Sequence, residues 1–91
     1  MRVKVSYLSI LRDATGVKEE ELQLDEGATV EDLIRCLIEK YGERMRRLLT
    51  DSEIEQGIMI TLDGALLSKA DMKNKISDGS EVLIGLPPFG G

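Results

Sequence analysis

Histidine and tryptophan are absent from this chain of 91 residues, and cysteine occurs once, at Cys36. Without histidine the chain lacks the commonest general base and the commonest metal ligand, and Cys36 has no neighbours for a zinc site or a Cys-His nucleophile. A single cysteine also cannot form an internal disulfide. We therefore expect no bound metal and no hydrolase chemistry, and we expect Cys36 to behave as a small, partly exposed apolar residue.

Long apolar runs and an excess of positive charge are missing as well. The N-terminal stretch MRVKVSYLSI lacks the apolar region of a signal peptide, and no segment approaches the roughly 20 apolar residues of a membrane span. The 17 acidic residues outnumber the 12 basic ones and give a net charge of -5. That charge disfavours nucleic acid and anionic membranes as partners, so we predict a cytoplasmic protein whose partners are other proteins.

What the chain has is the composition of an ordinary folded domain, with 42% hydrophobic and 32% charged residues. A chain of 91 residues fits one domain with one modest core. Because the core is small, a large enclosed active site is not expected.

Alternating apolar and polar residues predict several strands. These are VKVSYLS, EEELQLD after the turn RDATG, IMITL and ALL on either side of Asp63 and Gly64, and EVLIGL after Asp78 and Gly79. The first two should form a hairpin, and two prolines end the last strand. Leu8 and Leu83 fall on polar positions of their strands, which predicts that they lie on the open face of the sheet. There they are either ordinary exposed leucines or part of a docking patch.

One segment has the spacing of an amphipathic helix, which we predict from Val30 to Tyr41. Thr29 and Asp32 have the spacing of a capping box, and Gly42 stands where a left-handed C-terminal cap belongs. Weaker helical character follows near Met45, before acidic residues that suggest a loop. The predicted helix carries one apolar stripe, formed by Val30, Leu33, Ile34, Leu37, Ile38 and Tyr41.

The predicted order is therefore β-β-α-β-β, a short helical or loop link, and a final strand. Runs of strands around one helix indicate an α+β domain in which a single mixed sheet packs on one main helix. We assign residues 1–86 to this domain. Residues 87–91 then form an extended C-terminal tail that ends in Gly-Gly.

Four stretches carry a resemblance to a known family: YLSILRDATG, EGATVEDLI, ISDGSEVLIGLPP and the final GG. In this order they resemble the β-grasp, ubiquitin-like sulfur carriers, namely the small subunit of molybdopterin synthase (MoaD) and the thiamine sulfur carrier (ThiS). The DG-x-EV stretch that leads to a Pro-Pro pair is more similar to the MoaD type. In the family pattern two residues usually separate that pair from the glycines, whereas here Phe89 alone does.

The resemblance implies a non-catalytic sulfur carrier that binds no cofactor itself. An adenylating enzyme of the ubiquitin-activating type would use ATP to activate the carboxylate of Gly91, and a sulfur donor protein would convert it to a thiocarboxylate. The large catalytic subunit of molybdopterin synthase would then receive the sulfur for the molybdenum cofactor. The residues expected to contact these partners are Pro87, Pro88, Phe89, Gly90, Leu8 and Leu83.

The composition of the tail suits that role physically. Glycine has no Cβ, so Gly90 and Gly91 can enter a passage too narrow for other residues. Pro87 and Pro88 stiffen the base of the tail, so less conformational entropy is lost on docking. Five residues from Pro87 to Gly91 reach at most about 17 Å.

Three other functions fit the same sequence. The first is a ubiquitin-like modifier joined through Gly91 to lysines of other proteins. The second is a sulfur carrier for thiamine synthesis or tRNA thiolation, since the family resemblance indicates the fold more narrowly than the pathway. The third is a plain interaction domain with an inert tail.

Overall fold

The computed structural model describes residues 1–50 and 58–85, with Thr50 described by its backbone alone. The predicted order of strands and helices is confirmed within these residues, the segment of weaker helical character near Met45 is a helix, and one short helix is added before the second strand. The predicted tail, the strand position Leu86 and the acidic residues Asp51, Glu53 and Glu55 lie outside the described residues. The elements are β1 (Arg2–Tyr7), α1 (Ile10–Thr15), β2 (Glu19–Gln23), α2 (Val30–Tyr41), α3 (Glu43–Thr50), β3 (Met59–Leu62), β4 (Ala65–Leu66), a 3₁₀ helix (Lys69–Lys73) and β5 (Glu81–Gly85).

The strands form one mixed sheet with the spatial order β2-β1-β5-β3-β4. β1 pairs with β2 antiparallel and with β5 parallel, in a register that sets Val5 opposite Val82. β3 pairs antiparallel with both β5 and β4. The last described strand therefore occupies the centre of the sheet.

The helix α2 has the predicted bounds and the predicted N-terminal cap. The Thr29 side chain accepts a hydrogen bond from the Asp32 N–H at 3.2 Å, and the Asp32 carboxylate accepts one from the Thr29 N–H at 2.9 Å. The predicted left-handed cap at Gly42 is wrong in geometry, because its φ of 86° is combined with a ψ of -156°. The reason is that α3 begins at once, and the Gly42 carbonyl accepts its bond from the Arg46 N–H at 3.1 Å.

The helix α1 corrects a second expectation, since the sequence predicted only a turn between the first two strands. The six residues from Ile10 to Thr15 are helical although Ser9 makes no side-chain capping bond. A helix this short is marginal by propensity, so its stability must come from tertiary packing. Leu11 supplies that packing, because it is fully buried in the core cluster.

The core lies between the sheet and the helices. It takes alternate residues of β1 and β5, four buried residues of α2 and the apolar residues of α3, which confirms that one sheet face packs on one main helix. No helix within residues 1–50 and 58–85 is long and apolar enough to cross a membrane. The fully buried side chains are Val3, Val5, Tyr7, Leu11, Val30, Leu33, Leu37, Met45, Leu49, Val82 and Ile84.

A polar cluster joins the C-terminal end of α2 to the sheet edge around Glu20. The Tyr7 hydroxyl donates to Glu20 Oε2 at 2.6 Å, the Tyr41 hydroxyl donates to the same oxygen, and the Lys40 ammonium donates to Oε1. Burial raises the pKa of Tyr7 and of Tyr41, and the bonds to Glu20 raise both further. Burial opposes ionisation of Glu20, but the bonds from Lys40, Tyr41 and Tyr7 outweigh it and lower its pKa.

Leu37→Ala should lower the free energy of unfolding by about 2–5 kcal/mol, because the side chain is 0% exposed and its removal leaves a cavity under the sheet. Urea denaturation followed by circular dichroism gives the midpoint. Leu66→Ala is the control, because Leu66 is 67% exposed and its truncation should change stability by less than about 0.5 kcal/mol. Equal midpoints for the two variants would contradict the placement of α2 on the sheet.

Glu20→Gln should cost about 1–3 kcal/mol at neutral pH, because the Glu20 side chain is only 13% exposed and holds three charged or hydroxyl donors. The folded-state pKa is lowered, so this stabilisation is complete above the unfolded value of about 4.3 and is lost as the pH falls through the folded value. Urea midpoints of wild type and variant should therefore differ at neutral pH and converge in acid, below the unfolded value. Glu39→Gln, at an exposed position of α2, serves as the control. A gap that is the same at both pH values would refute the linkage.

Candidate partner-binding site

The sheet has one face covered by the helices and one open face. Along β1 and β5 the buried residues alternate with exposed or half-buried ones, so every second side chain points away from the core. The same alternation places Ile60 of β3 in the core and its neighbours outside it. The open face includes Lys4, Ser6, Met59, Thr61, Leu66, Glu81 and Leu83.

Three apolar side chains surround Gly85, the last residue of β5. Met59 is the antiparallel partner of Gly85, Leu83 precedes it on the same face, and the Leu8 N–H donates to the Ile84 carbonyl at 2.9 Å on the other side. Leu8, Met59 and Leu83 are half-buried, and none of them packs in the core cluster. We call these three residues the open-face patch.

The open-face patch contains both leucines that the sequence placed on the open face, and the structure brings them to one end of β5. It adds Met59 and the adjacent Gly85, which the sequence analysis missed. The signal for Gly85 was present, because a glycine inside an apolar strand often marks a close backbone approach. The proposed contact role of Leu8 and Leu83 stays a prediction. The other predicted site residues, Pro87 to Gly91, lie outside the described residues.

The opposite end of β5 is held by Asp63 in the turn between β3 and β4. Its carboxylate accepts from the Glu81 N–H at 2.8 Å and from the Ser80 hydroxyl at 3.2 Å. Its φ is 49°, a left-handed value that aspartate tolerates better than most residues. The predicted Asp-Gly turn therefore also anchors the start of the central strand.

The charges on the open face form exposed ion pairs. Lys4 Nζ lies 3.2 Å from Glu19 and 3.9 Å from Glu81, and the hydrogen bond to Glu19 together with its charge raises the pKa of Lys4. Such pairs contribute little to stability, but they frame an apolar patch with polar groups, as in the rim of a protein interface. Among the described residues no group of three or more histidine, cysteine, aspartate and glutamate side chains is arranged to hold a metal. Cys36 is half-buried on α2.

A five-stranded mixed sheet that packs on one main helix, with its last strand in the centre, defines the β-grasp, ubiquitin-like class of small proteins. The ThiS family model matches residues 5–91, and the chain belongs to that family.

Two curated relatives match the whole chain. The molybdopterin synthase sulfur carrier subunit of Chlamydomonas reinhardtii is 31% identical over 91 residues, which cover 100% of this chain and 99% of that protein. Small archaeal modifier protein 3 of Haloferax volcanii is 27% identical over 92 residues, which cover 100% of both chains. These matches confirm the family resemblance seen in the sequence. One of the two relatives is named as a sulfur carrier subunit and the other as a modifier protein.

Solved structures show the same fold. A candidate molybdopterin converting factor subunit 1 from Pyrococcus furiosus is 27% identical with a TM-score of 0.76, over 96% of this chain and 98% of that one. A protein-protein complex of subunits 1 and 2 of the molybdopterin-converting factor from Helicobacter pylori contains a chain that is 14% identical with a TM-score of 0.62, over 100% of both chains. Proteins of this fold are thus found in complexes with partner subunits.

Proposed function

We propose that this protein is a sulfur carrier that delivers sulfur as a thiocarboxylate on Gly91. The observation that carries the proposal is the position of β5. The strand lies in the centre of the sheet, is anchored at its start by Asp63, and has its last described residue, Gly85, beside the open-face patch. Gly91 is the sixth residue after Gly85 in the sequence, a length that spans at most about 20 Å. A terminus on such a tether reaches a partner's active site while the partner contacts the sheet.

The chemistry follows from the carboxylate. With a pKa near 3.3–3.7 a terminal carboxyl group is ionised at neutral pH and is a poor electrophile. In the first step a carboxylate oxygen of Gly91 attacks the α-phosphate of ATP, and pyrophosphate leaves. In the second step a sulfide donor attacks the carbonyl carbon, AMP leaves, and a C–S bond replaces the C–O bond. This chain contributes the reacting group, and a partner adenylating enzyme contributes ATP and the catalytic groups.

The acceptor that we propose is the large catalytic subunit of molybdopterin synthase. Support comes from the 31% identity with a molybdopterin synthase sulfur carrier subunit and from the DG-x-EV stretch before Pro87 and Pro88. The open-face patch, with Phe89 in the tail, would contact that subunit, because aromatic and large apolar side chains are the usual interface anchors.

A modifier function is the second candidate, and the similarity to small archaeal modifier protein 3 favours it. The two functions share the adenylation step and differ in the nucleophile that follows. Intact mass of protein isolated from its host distinguishes them. A species heavier by the difference between sulfur and oxygen supports the carrier, whereas other proteins that carry Gly91 on a lysine support the modifier.

Adding one alanine after Gly91 should abolish adenylation while the thermal melt stays unchanged. The extra residue moves the carboxyl group about 3.5 Å from its position, while reacting atoms must approach within roughly 3–3.5 Å. Deleting Gly91 should abolish adenylation for the opposite reason. ATP-pyrophosphate exchange with the host's adenylating enzyme measures the step, and Cys36→Ser is the control that should retain it. Normal exchange in both tail variants would refute the carrier and the modifier together.

Leu83→Ala should weaken docking of the activating or acceptor partner by about 1–2 kcal/mol, which is roughly a five- to thirtyfold rise in Kd. Isothermal titration calorimetry with the purified partner measures this. Leu66→Ala truncates an exposed leucine of β4 on the same face, two strands away from Leu83, and should leave Kd within about twofold. If Leu66→Ala weakens binding and Leu83→Ala does not, the partner contacts the edge of the sheet instead.

A further inference from the structure

Gly85 stands at a position where the fold excludes any side chain. A Cβ placed on Gly85 would come closest to Leu8 Cβ, and it would lie 2.9 Å from the Leu8 carbonyl oxygen and 3.0 Å from Leu8 Cα. Two of these three atoms belong to the backbone, so a rotamer change cannot relieve the overlap. Gly85 is buried although its side of β5 is the open face, because Leu8 covers it.

The segment that covers Gly85 is itself held in an unfavourable conformation. Ser9 has a φ of 52° and a ψ of -126°, a combination that non-glycine residues rarely adopt and that persists only where the surroundings impose it. We call Leu8 and Ser9 the β1–α1 corner.

The surroundings of the β1–α1 corner are visible in its hydrogen bonds. On one side the Leu8 N–H donates to the Ile84 carbonyl of β5 at 2.9 Å. On the other side the Leu8 carbonyl accepts from the Leu11 N–H at 3.1 Å, and the Ser9 carbonyl accepts from Arg12 at 3.0 Å, which starts α1. Leu11 is fully buried and fixes α1 in the core. The corner is therefore clamped between the core and the end of β5.

Both features meet at Gly85, the last described residue of β5, which lies two residues before Pro87 in the sequence and which we call the root of the tail. No other glycine in the described residues 1–50 and 58–85 has an atom within 4 Å of an added Cβ. The close approach is thus specific to the root of the tail. On the opposite side of Gly85 lies its pairing partner Met59, so the root is enclosed by the β1–α1 corner and by β3.

We propose that Gly85 is a positioning residue for the reaction at Gly91. By lacking a side chain it lets the β1–α1 corner lie against β5, and the clamped corner sets the place at which the tail leaves the sheet relative to the open-face patch. The inference rests on the proposed sulfur-carrier function. A partner that docks on the open-face patch then receives the carboxyl group at a defined distance, and a shift of about 1 Å in such a group can lower a rate by up to about 100-fold.

The test is Gly85→Ala in steady-state ATP-pyrophosphate exchange with the host's adenylating enzyme. The concentration of the carrier chain is varied at saturating ATP. The added Cβ displaces the root of the tail and leaves Leu83 and Met59 available for docking. We therefore expect kcat to fall at least about tenfold, while the KM for the carrier chain stays within about threefold of wild type. A purely structural role would lower the concentration of folded protein and so raise the apparent KM without changing kcat.

Gly79→Ala is the matched control, because it introduces the same methyl group before the other end of β5. Gly79 has a φ of 84°, which alanine adopts only with strain, yet an added Cβ meets no atom within 4 Å. This variant should melt at a lower temperature and still show the wild-type kcat. Rates are compared at a temperature at which circular dichroism shows both variants folded.

A rescue pair tests the contact itself and also applies if Gly85→Ala alone does not fold. Leu8→Gly in the Gly85→Ala background removes the nearest atom and leaves the corner backbone freer to move away from the added methyl group, so it should restore part of the folding and part of kcat. Leu8→Ala in the same background keeps the Cβ and should restore neither. Both double variants lack the Leu8 atoms beyond Cβ. Any loss of partner binding caused by removing those atoms from the open-face patch is therefore the same in the two variants.

The outcomes separate this inference from the proposed function. If the wild-type chain supports no exchange, the sulfur-carrier function fails. If the wild type supports exchange, then a wild-type kcat in Gly85→Ala, or equal behaviour of the two double variants, overturns the positioning role of Gly85 alone.

Discussion

The fold depends on the parallel pairing of β1 with β5. This pairing joins the N-terminal hairpin to the strands that follow the helices, and it sets Lys4 opposite Glu81 and Tyr7 opposite Ile84. Without it the sheet would divide into two pieces, each with one additional unprotected edge, and α2 would have no continuous surface to cover. Because the partners are more than 70 residues apart in the chain, the pairing also places the last described strand in the middle of the molecule.

Other interactions hold that central pair in place. The stripe of α2 covers the inner face, and the Glu20 cluster attaches the end of that helix to β1 and β2. Asp63 binds the start of β5, and the β1–α1 corner lies against its end at Gly85. β5 is therefore held at both ends and on both sides, which under the proposed function gives the residues after Gly85 a defined starting point.

Sulfur transfer and protein modification both begin with adenylation of a terminal carboxyl group. Each requires a carboxyl group that an adenylating enzyme can reach, and neither requires catalytic side chains in the carrier. The chain belongs to a family whose curated relatives include a carrier subunit and a modifier. Under the proposed function the fold serves to present a terminus, and the choice between acceptors would depend on the surface that each partner contacts. We propose that in this chain the surface is the open-face patch beside β5.

Local sequence determined α2 with its bounds and its Thr29 capping box, the strand alternations, and the Asp-Gly turns, because each signal lies within a few neighbouring residues. Tertiary structure alone decided the features that join distant segments. The helix α1 forms because Leu11 reaches the core, and Gly42 departs from a left-handed cap because α3 starts beside it. The Glu20 cluster and the close contact at Gly85 each require residues from separate strands or helices, so their geometry follows from the packing of the sheet and not from local spacing.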